Sequence, residues 1–99
     1  MDTVGIALSG MQSASTRLAV SAHNVANGLT DGFRPQRVAQ TAQASGGAQA
    51  VVVTAPGVEP VAFEREVVDQ IQARTQFEGS ARVLGAHAEM LGSLLDLFA

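Results

Sequence analysis

Cysteine, tryptophan, tyrosine and lysine are absent from this 99-residue sequence. Without cysteine there is no disulfide framework and no thiolate metal site. Four phenylalanines are the only aromatic residues, and all six basic residues are arginine. A net charge of −3 speaks against a nucleic-acid binder, which carries a basic patch or stripe. The opening stretch MDTVGIALSG starts with an acid and lacks the basic region of a secretory signal. No apolar run approaches the ~20 residues that span a bilayer. Composition by itself therefore predicts a cytoplasmic chain without membrane insertion, an expectation that fails for proteins exported by signal-independent machines. The length suits a single small domain, and a chain this short buries a modest share of its surface.

Charge is unevenly spread. Residues 1–37 hold Arg17, Arg34 and Arg37 against Asp2 and Asp31, whereas residues 63–99 hold three arginines against six acids. Opposite signs at the two ends suit their pairing, although exposed ion pairs are individually weak.

Three parts follow along the chain. In residues 3–27, positions 4, 8, 11, 15, 18, 22, 25 and 29 hold Val, Leu, Met, Ser, Leu, Ala, Val and Leu. This alternating 4–3 spacing predicts a helix with a narrow seam, over ~30 Å long. Gly28 reads as its stop in a left-handed cap. Residues 28–62 form an elbow, a turn and a hairpin or irregular stretch. Within them, 37–43 and 49–55 predict two short strands across ASGGA, and the run Val51, Val52, Val53 carries the strand signal. A lone hairpin is marginal in water, so this one needs something to pack on. PGVEP marks the next boundary. Residues 63–98 contain no proline and repeat the near-heptad spacing at 67, 71, 74, 77, 81, 84, 88, 91, 95 and 98. They predict a helix of ~50 Å.

The expected fold is mainly α: one domain, 1–99, in which the two long terminal helices pair as an antiparallel, coiled-coil-like hairpin. Ser15 and Ala22 weaken the first seam, and Gly5, Gly10, Gly79, Gly85 and Gly92 lie inside helices. Each such glycine costs up to ~1 kcal/mol relative to alanine. Leu91, Leu94, Leu95, Leu97 and Phe98 crowd the C-terminus with more apolar surface than one partner helix covers. That excess predicts packing between molecules.

Chemistry finds little support. His23 and His87 have no convergent ligands beyond the neighbouring Glu89, and a metal site needs three or four. The nucleophile-elbow, phosphate-loop and dinucleotide patterns are missing. Ser9, Ser13, Ser15 and Ser21 have no base nearby in sequence. Glu64, Glu66, Asp69 and Glu78 read as a solvated helix face. No catalytic, cofactor-binding or metal-ligating residue is predicted, and no cofactor. The stretch VSAHNVANGLTDGFRPQ (20–36) has a structural reading: Asn24 and Asn27 serve the helix end and the returning chain. Gly32 supplies an unusual dihedral in a turn, and Phe33 folds back on the helix.

Two motifs carry a resemblance. ALSGMQSASTRLAVSAHNVANGLTDGFRPQ (7–36) resembles the N-terminal signature of bacterial flagellar axial proteins, the rod, hook and hook-associated subunits. There a first helix runs into A-N-N-I-A-N-x-N-T-P-G-Y/F-K/R. Ala22, Asn24, Val25, Ala26, Asn27, Thr30, Gly32, Phe33 and Arg34 fall on it. VVDQIQARTQFEGSARVLGAHAEMLGSLLDL (67–97) resembles the C-terminal helix of that family. His23, Leu29-Thr30-Asp31 and Arg74-Thr75-Gln76 depart from the pattern. The middle segment has no room for large β domains, so the chain looks like a minimal proximal-rod-type subunit or a diverged paralogue.

The resemblance implies a structural subunit of the flagellar basal-body rod, placed in the periplasm. Export would run through the flagellar type III apparatus without a cleaved signal. Partners would be other axial subunits and further copies of the chain, with order gained on assembly. Expected interface residues are Val4, Leu8, Met11, Leu18 and Val25 against Leu84, Leu91, Leu95 and Phe98. Asn24, Asn27, Thr30, Gly32 and Phe33 form the expected elbow. The alternatives are a paralogue acting as a regulatory, adaptor or capping protein, and a cytoplasmic two-helix hairpin that binds a helical partner.

Overall fold

The computed structural model describes residues 2–98, so Met1 and Ala99, the two ends of the predicted domain, lie outside the described residues. Helix α1 (Thr3–Asn27) leads to strands β1 (Gln36–Ala42) and β2 (Ala48–Thr54), and then to helix α2 (Phe63–Phe98). The two helices pack on each other and the strands form an antiparallel hairpin, as the sequence predicts.

Helix α1 begins because Asp2 caps it. The Asp2 backbone is extended, at φ −79° and ψ 175°, and its carboxylate accepts a hydrogen bond from the Gly5 amide at 2.7 Å. This satisfies one of the orphan donors of the first turn. At the other end the left-handed cap expected at Gly28 does not form: Gly28 is right-handed, at φ −61° and ψ −24°. The chain keeps turning through Thr30 N–H to Asn27 O at 3.0 Å and Phe33 N–H to Thr30 O at 3.3 Å. It reverses at Gly32, where φ is +73°. Glycine at 28 leaves room of a different kind. A Cβ there would lie 2.5 Å from Cζ of Phe63, the first residue of α2.

The hairpin pairs Gln36 with Thr54 through to Ala42 with Ala48. Its turn closes with Gln43 N–H to Gly47 O at 3.0 Å, and Gly46 and Gly47 both take positive φ. Gln36, Val38, Ala48 and Ala50 are its half-buried positions. Both strands lie on α1. They reach α2 through side chains, Arg37 toward Glu66 and Gln40 to Gln76. The need for a packing partner is met by the first helix.

The helices run antiparallel, with Gly10 against Ser80 and Gly28 against Phe63. At ~1.5 Å per residue, α1 is about 38 Å long and α2 about 54 Å. The pairing brings Thr3 level with about residue 87, so residues 88–98 continue past α1, and every one of them is exposed. The molecule measures 63 × 25 × 14 Å with a radius of gyration of 17.5 Å. A compact chain of this length has about 13 Å.

The seam is displaced by one residue from the predicted one. Helix α1 turns Ala7, Gly10, Ala14, Arg17, Ser21, Asn24 and Gly28 inward, not Val4, Leu8, Met11, Ser15, Leu18, Ala22 and Val25. Helix α2 meets it with Phe63, Glu66, Gln70, Ala73, Gln76 and Ser80. The spacing was right and the phase was about 100° out. Large apolar side chains hold neighbouring helices apart, whereas a stripe of Ala, Gly and Ser lets them come close and hydrogen-bond across the gap.

Candidate assembly interface

The core that results is small. Ala7, Ala14, Ala55 and Ala73 are buried, and the larger aliphatic side chains that join them are those of Val20 and Pro35. Polar groups fill the rest: Ser13, Ser21, Asn24 and Glu66 are each at most 3% exposed.

Asn24 is the centre of this polar interior. Its Oδ1 accepts from the Gln36 amide at 2.9 Å, and its Nδ2 donates to the Gln36 carbonyl at 2.8 Å. The same Nδ2 donates to Glu66 Oε1 at 3.0 Å. One side chain thus ties α1 to the first residue of β1 and to the first turn of α2. Arg37 stands 3.7 Å from the Glu66 carboxylate, too far for a strong hydrogen bond but close enough to balance its charge. Ser21 Oγ donates to the Glu66 carbonyl at 3.0 Å and accepts from Gln70 Nε2 at 3.1 Å. Further along, Arg17 donates to Gln76 at 2.9 Å and to Gln72 at 3.2 Å, while Gln76 donates to the Gly10 carbonyl at 3.2 Å. No buried side-chain nitrogen or oxygen among the described residues lacks a partner. A buried polar network stabilises only when every member is satisfied.

The elbow residues have distinct tasks. Asn27 donates to the His23 carbonyl at 3.0 Å, closing its own helix end, and so does not meet the returning chain as Asn24 does. Thr30 and Gly32 build the turn. Phe33 folds back as expected, its ring centroid 5.4 Å from that of His23. Pro35 is buried beneath, and Arg34 Nε reaches the Ala55 carbonyl at 2.8 Å to join the two ends of the hairpin.

The apolar residues named as interface face outward. Leu8, Leu18 and Val25 are exposed, and Val4 and Met11 are half-buried. Leu84 is half-buried. Leu91, Leu95 and Phe98 lie beyond the end of α1, with Phe98 87% exposed. Within one chain the structure does not bring the two sets together, and it leaves two separate apolar surfaces facing outward. The first is an open groove between the helices on the side the hairpin does not line, with Leu18, Val67, Ile71 and Phe77 on its walls and Ala14 and Ala73 at its floor. The second is the overhang 88–98, where Met90, Leu91, Leu94, Leu95, Leu97 and Phe98 are all exposed.

Sequence reasoning missed Glu66, assigned to a solvated face, and Gln70 and Gln76. The signal for Glu66 was weak: a lone acid on a helix acquires meaning only once Asn24 and Arg37 are known to converge on it. The total accessible surface of 6582 Å² exceeds the ~5,300 Å² typical of a folded 10.2-kDa monomer. Among the described residues, no helix is long and apolar enough to cross a membrane, and no group of three His, Cys, Asp or Glu is placed to hold a metal ion. No family model matches the chain, and no curated protein is found to be similar to it.

Proposed function

We propose that this chain is a structural subunit that assembles through its two long helices, of the type found in the rod of the bacterial flagellar basal body. One observation carries the reading: the large apolar side chains are outside and the small and polar ones inside. A monomer gains about 25 cal/mol per Å² of apolar surface withdrawn from water. Here most of that gain is left for contacts with other molecules. The flagellar assignment draws on the two terminal motifs. The elbow adds support, because Asn24, Gly32 and Phe33 each do a structural task that their residue type alone does well. The chemistry is association, without a reaction. Contacts between unlike surfaces of identical subunits propagate when the rotation between copies does not close a ring, as a tubular or filamentous assembly requires.

The test joins biophysics to genetics. Circular dichroism and light scattering across a concentration series should show helicity rising as large species appear. Replacing Leu91 and Leu95 together by Asp should abolish assembly and motility while leaving the chain's own fold intact; normal motility in that strain would sink the proposal. The adaptor or capping reading has the short middle segment in its favour. It predicts altered number or timing of flagella on gene deletion, where the subunit reading predicts no completed hook.

A further inference from the structure

The two outward apolar surfaces fit each other. The groove runs along α2 from Val67 to Phe77, about 15 Å at ~1.5 Å per residue. The overhang 88–98 is about 16 Å long on the same basis. Leu91, Leu94, Leu95 and Phe98 fall at i, i+3, i+4 and i+7, one continuous stripe of the width that a groove between two helices accepts. The groove's rim carries Arg74 and Glu78, paired with each other at 3.0 Å, so the fit rests on the apolar stripe and its length and not on charge. The overhang cannot occupy the groove of its own molecule, because both belong to one uninterrupted helix.

We infer that the overhang of one copy lies in the groove of the next, completing a three-helix packing head to tail. The inference rests on the assembly reading above and names the partner at that surface: a second copy of this chain. Area agrees with it. The chain exposes about 1,300 Å² more than a typical folded monomer of its mass. A standard interface takes about 800 Å² from each partner. A single two-fold contact leaves much of the excess bare, whereas a head-to-tail contact uses two patches on every copy. Because donor and acceptor surfaces differ, each added copy presents a fresh groove at one end and a fresh overhang at the other.

The test is sedimentation velocity on the full-length chain over a wide concentration range, with two variants whose helicity is checked by circular dichroism. Ile71→Arg blocks the groove at a position already 60% exposed. Leu94→Asp with Leu95→Asp blocks the overhang. Should Ile71→Arg fail to fold, Ser15→Arg, on the exposed groove wall, replaces it. The wild type should grow without a fixed stoichiometry. Each variant alone should stay monomeric at concentrations at least tenfold above the onset of growth. An equimolar mixture should stop at a dimer, because it contains one intact groove and one intact overhang per pair. The inference is overturned by a groove variant that still associates like the wild type, by a mixture of folded variants that stays monomeric, or by a wild type that is monomeric throughout. None of these outcomes decides whether the chain is a rod subunit, which rests on its presence or absence in purified basal bodies.

Discussion

Asn24→Ala offers the sharpest test of the polar interior. The substitution removes three hydrogen bonds at once, two to the Gln36 backbone and one to Glu66. It opens little volume, so the cavity term is small. A neutral hydrogen bond contributes about 1 kcal/mol, and one to a charged group about 2. The sum is about 4 kcal/mol, a large share of the ~5–15 kcal/mol that a domain possesses. Two of the orphaned groups are the amide and carbonyl that start β1, so the hairpin should loosen first. With an m-value of ~1–2 kcal/mol per M, the urea midpoint should fall by about 2–4 M. The assay is urea unfolding followed by circular dichroism at a fixed protein concentration, with amide exchange on residues 36–54 reporting the hairpin separately. Asn24→Asp serves as the near-isosteric control. It loses both donors and sets a second carboxylate beside Glu66, so at neutral pH it should be at least as destabilised as Asn24→Ala. A loss below 1 kcal/mol in Asn24→Ala, or equal exchange rates in the hairpin of mutant and wild type, would refute the assignment of Asn24 as the tie between three elements.

Other outcomes follow from the glycines and the overhang. Gly28→Ala should cost about 1–3 kcal/mol through overpacking against Phe63, and Phe63→Leu should recover part of that loss in the double mutant, read by thermal melts. Gly32→Ala should cost about 1–2 kcal/mol because φ there is +73°, also measured by melting temperature. Gly79→Ala and Gly85→Ala meet no atoms within 4 Å and should each raise monomer stability by up to ~1 kcal/mol; any loss of assembly in these variants, seen by light scattering, would mark the glycine as a close approach between copies. Leu91→Asp with Leu95→Asp should change the chain's own melting temperature little, since both residues are exposed, while removing large species from solution.

The elements were legible because their signals are local. The 4–3 spacing of residues 3–27, the proline-free run from Phe63 and the Val51–Val53 triplet against a Gly-Gly turn are each read within one segment. The phase of the seam was not legible by the rule that large apolar residues mark the buried face. Leu8, Leu18 and Val25 have the right spacing but flank the contact, and the contact itself is written in Ala7, Gly10, Ala14 and Ser21. A helix pair that joins through small residues hides its seam from a hydrophobicity pattern. Gly28 was expected to serve backbone freedom and instead makes room for an aromatic ring some 35 residues away in sequence, which no local rule reveals. Asn24 was identified as a link to the returning chain, and its bond to Glu66 was not, because that partner lies on the far helix. The crowding of apolar residues at the C-terminus was plain from the sequence; that it overhangs α1 required the pairing of Gly10 with Ser80.

The alanine, serine and amide lining of the helix seam has a calorimetric consequence. Heat capacity rises on unfolding chiefly through newly hydrated apolar surface and falls through polar surface. Parting α1 from α2 wets Ser21, Asn24, Glu66, Gln70 and Gln76 and little hydrocarbon. The chain's own unfolding should therefore fall below the usual ~12–15 cal/mol/K per residue, giving a flat stability curve that changes slowly between cold and warm. The missing heat capacity should reappear in the association step, where the leucines leave water: dilution calorimetry at several temperatures would find the steep temperature dependence there, in the joining of molecules and not in the folding of one.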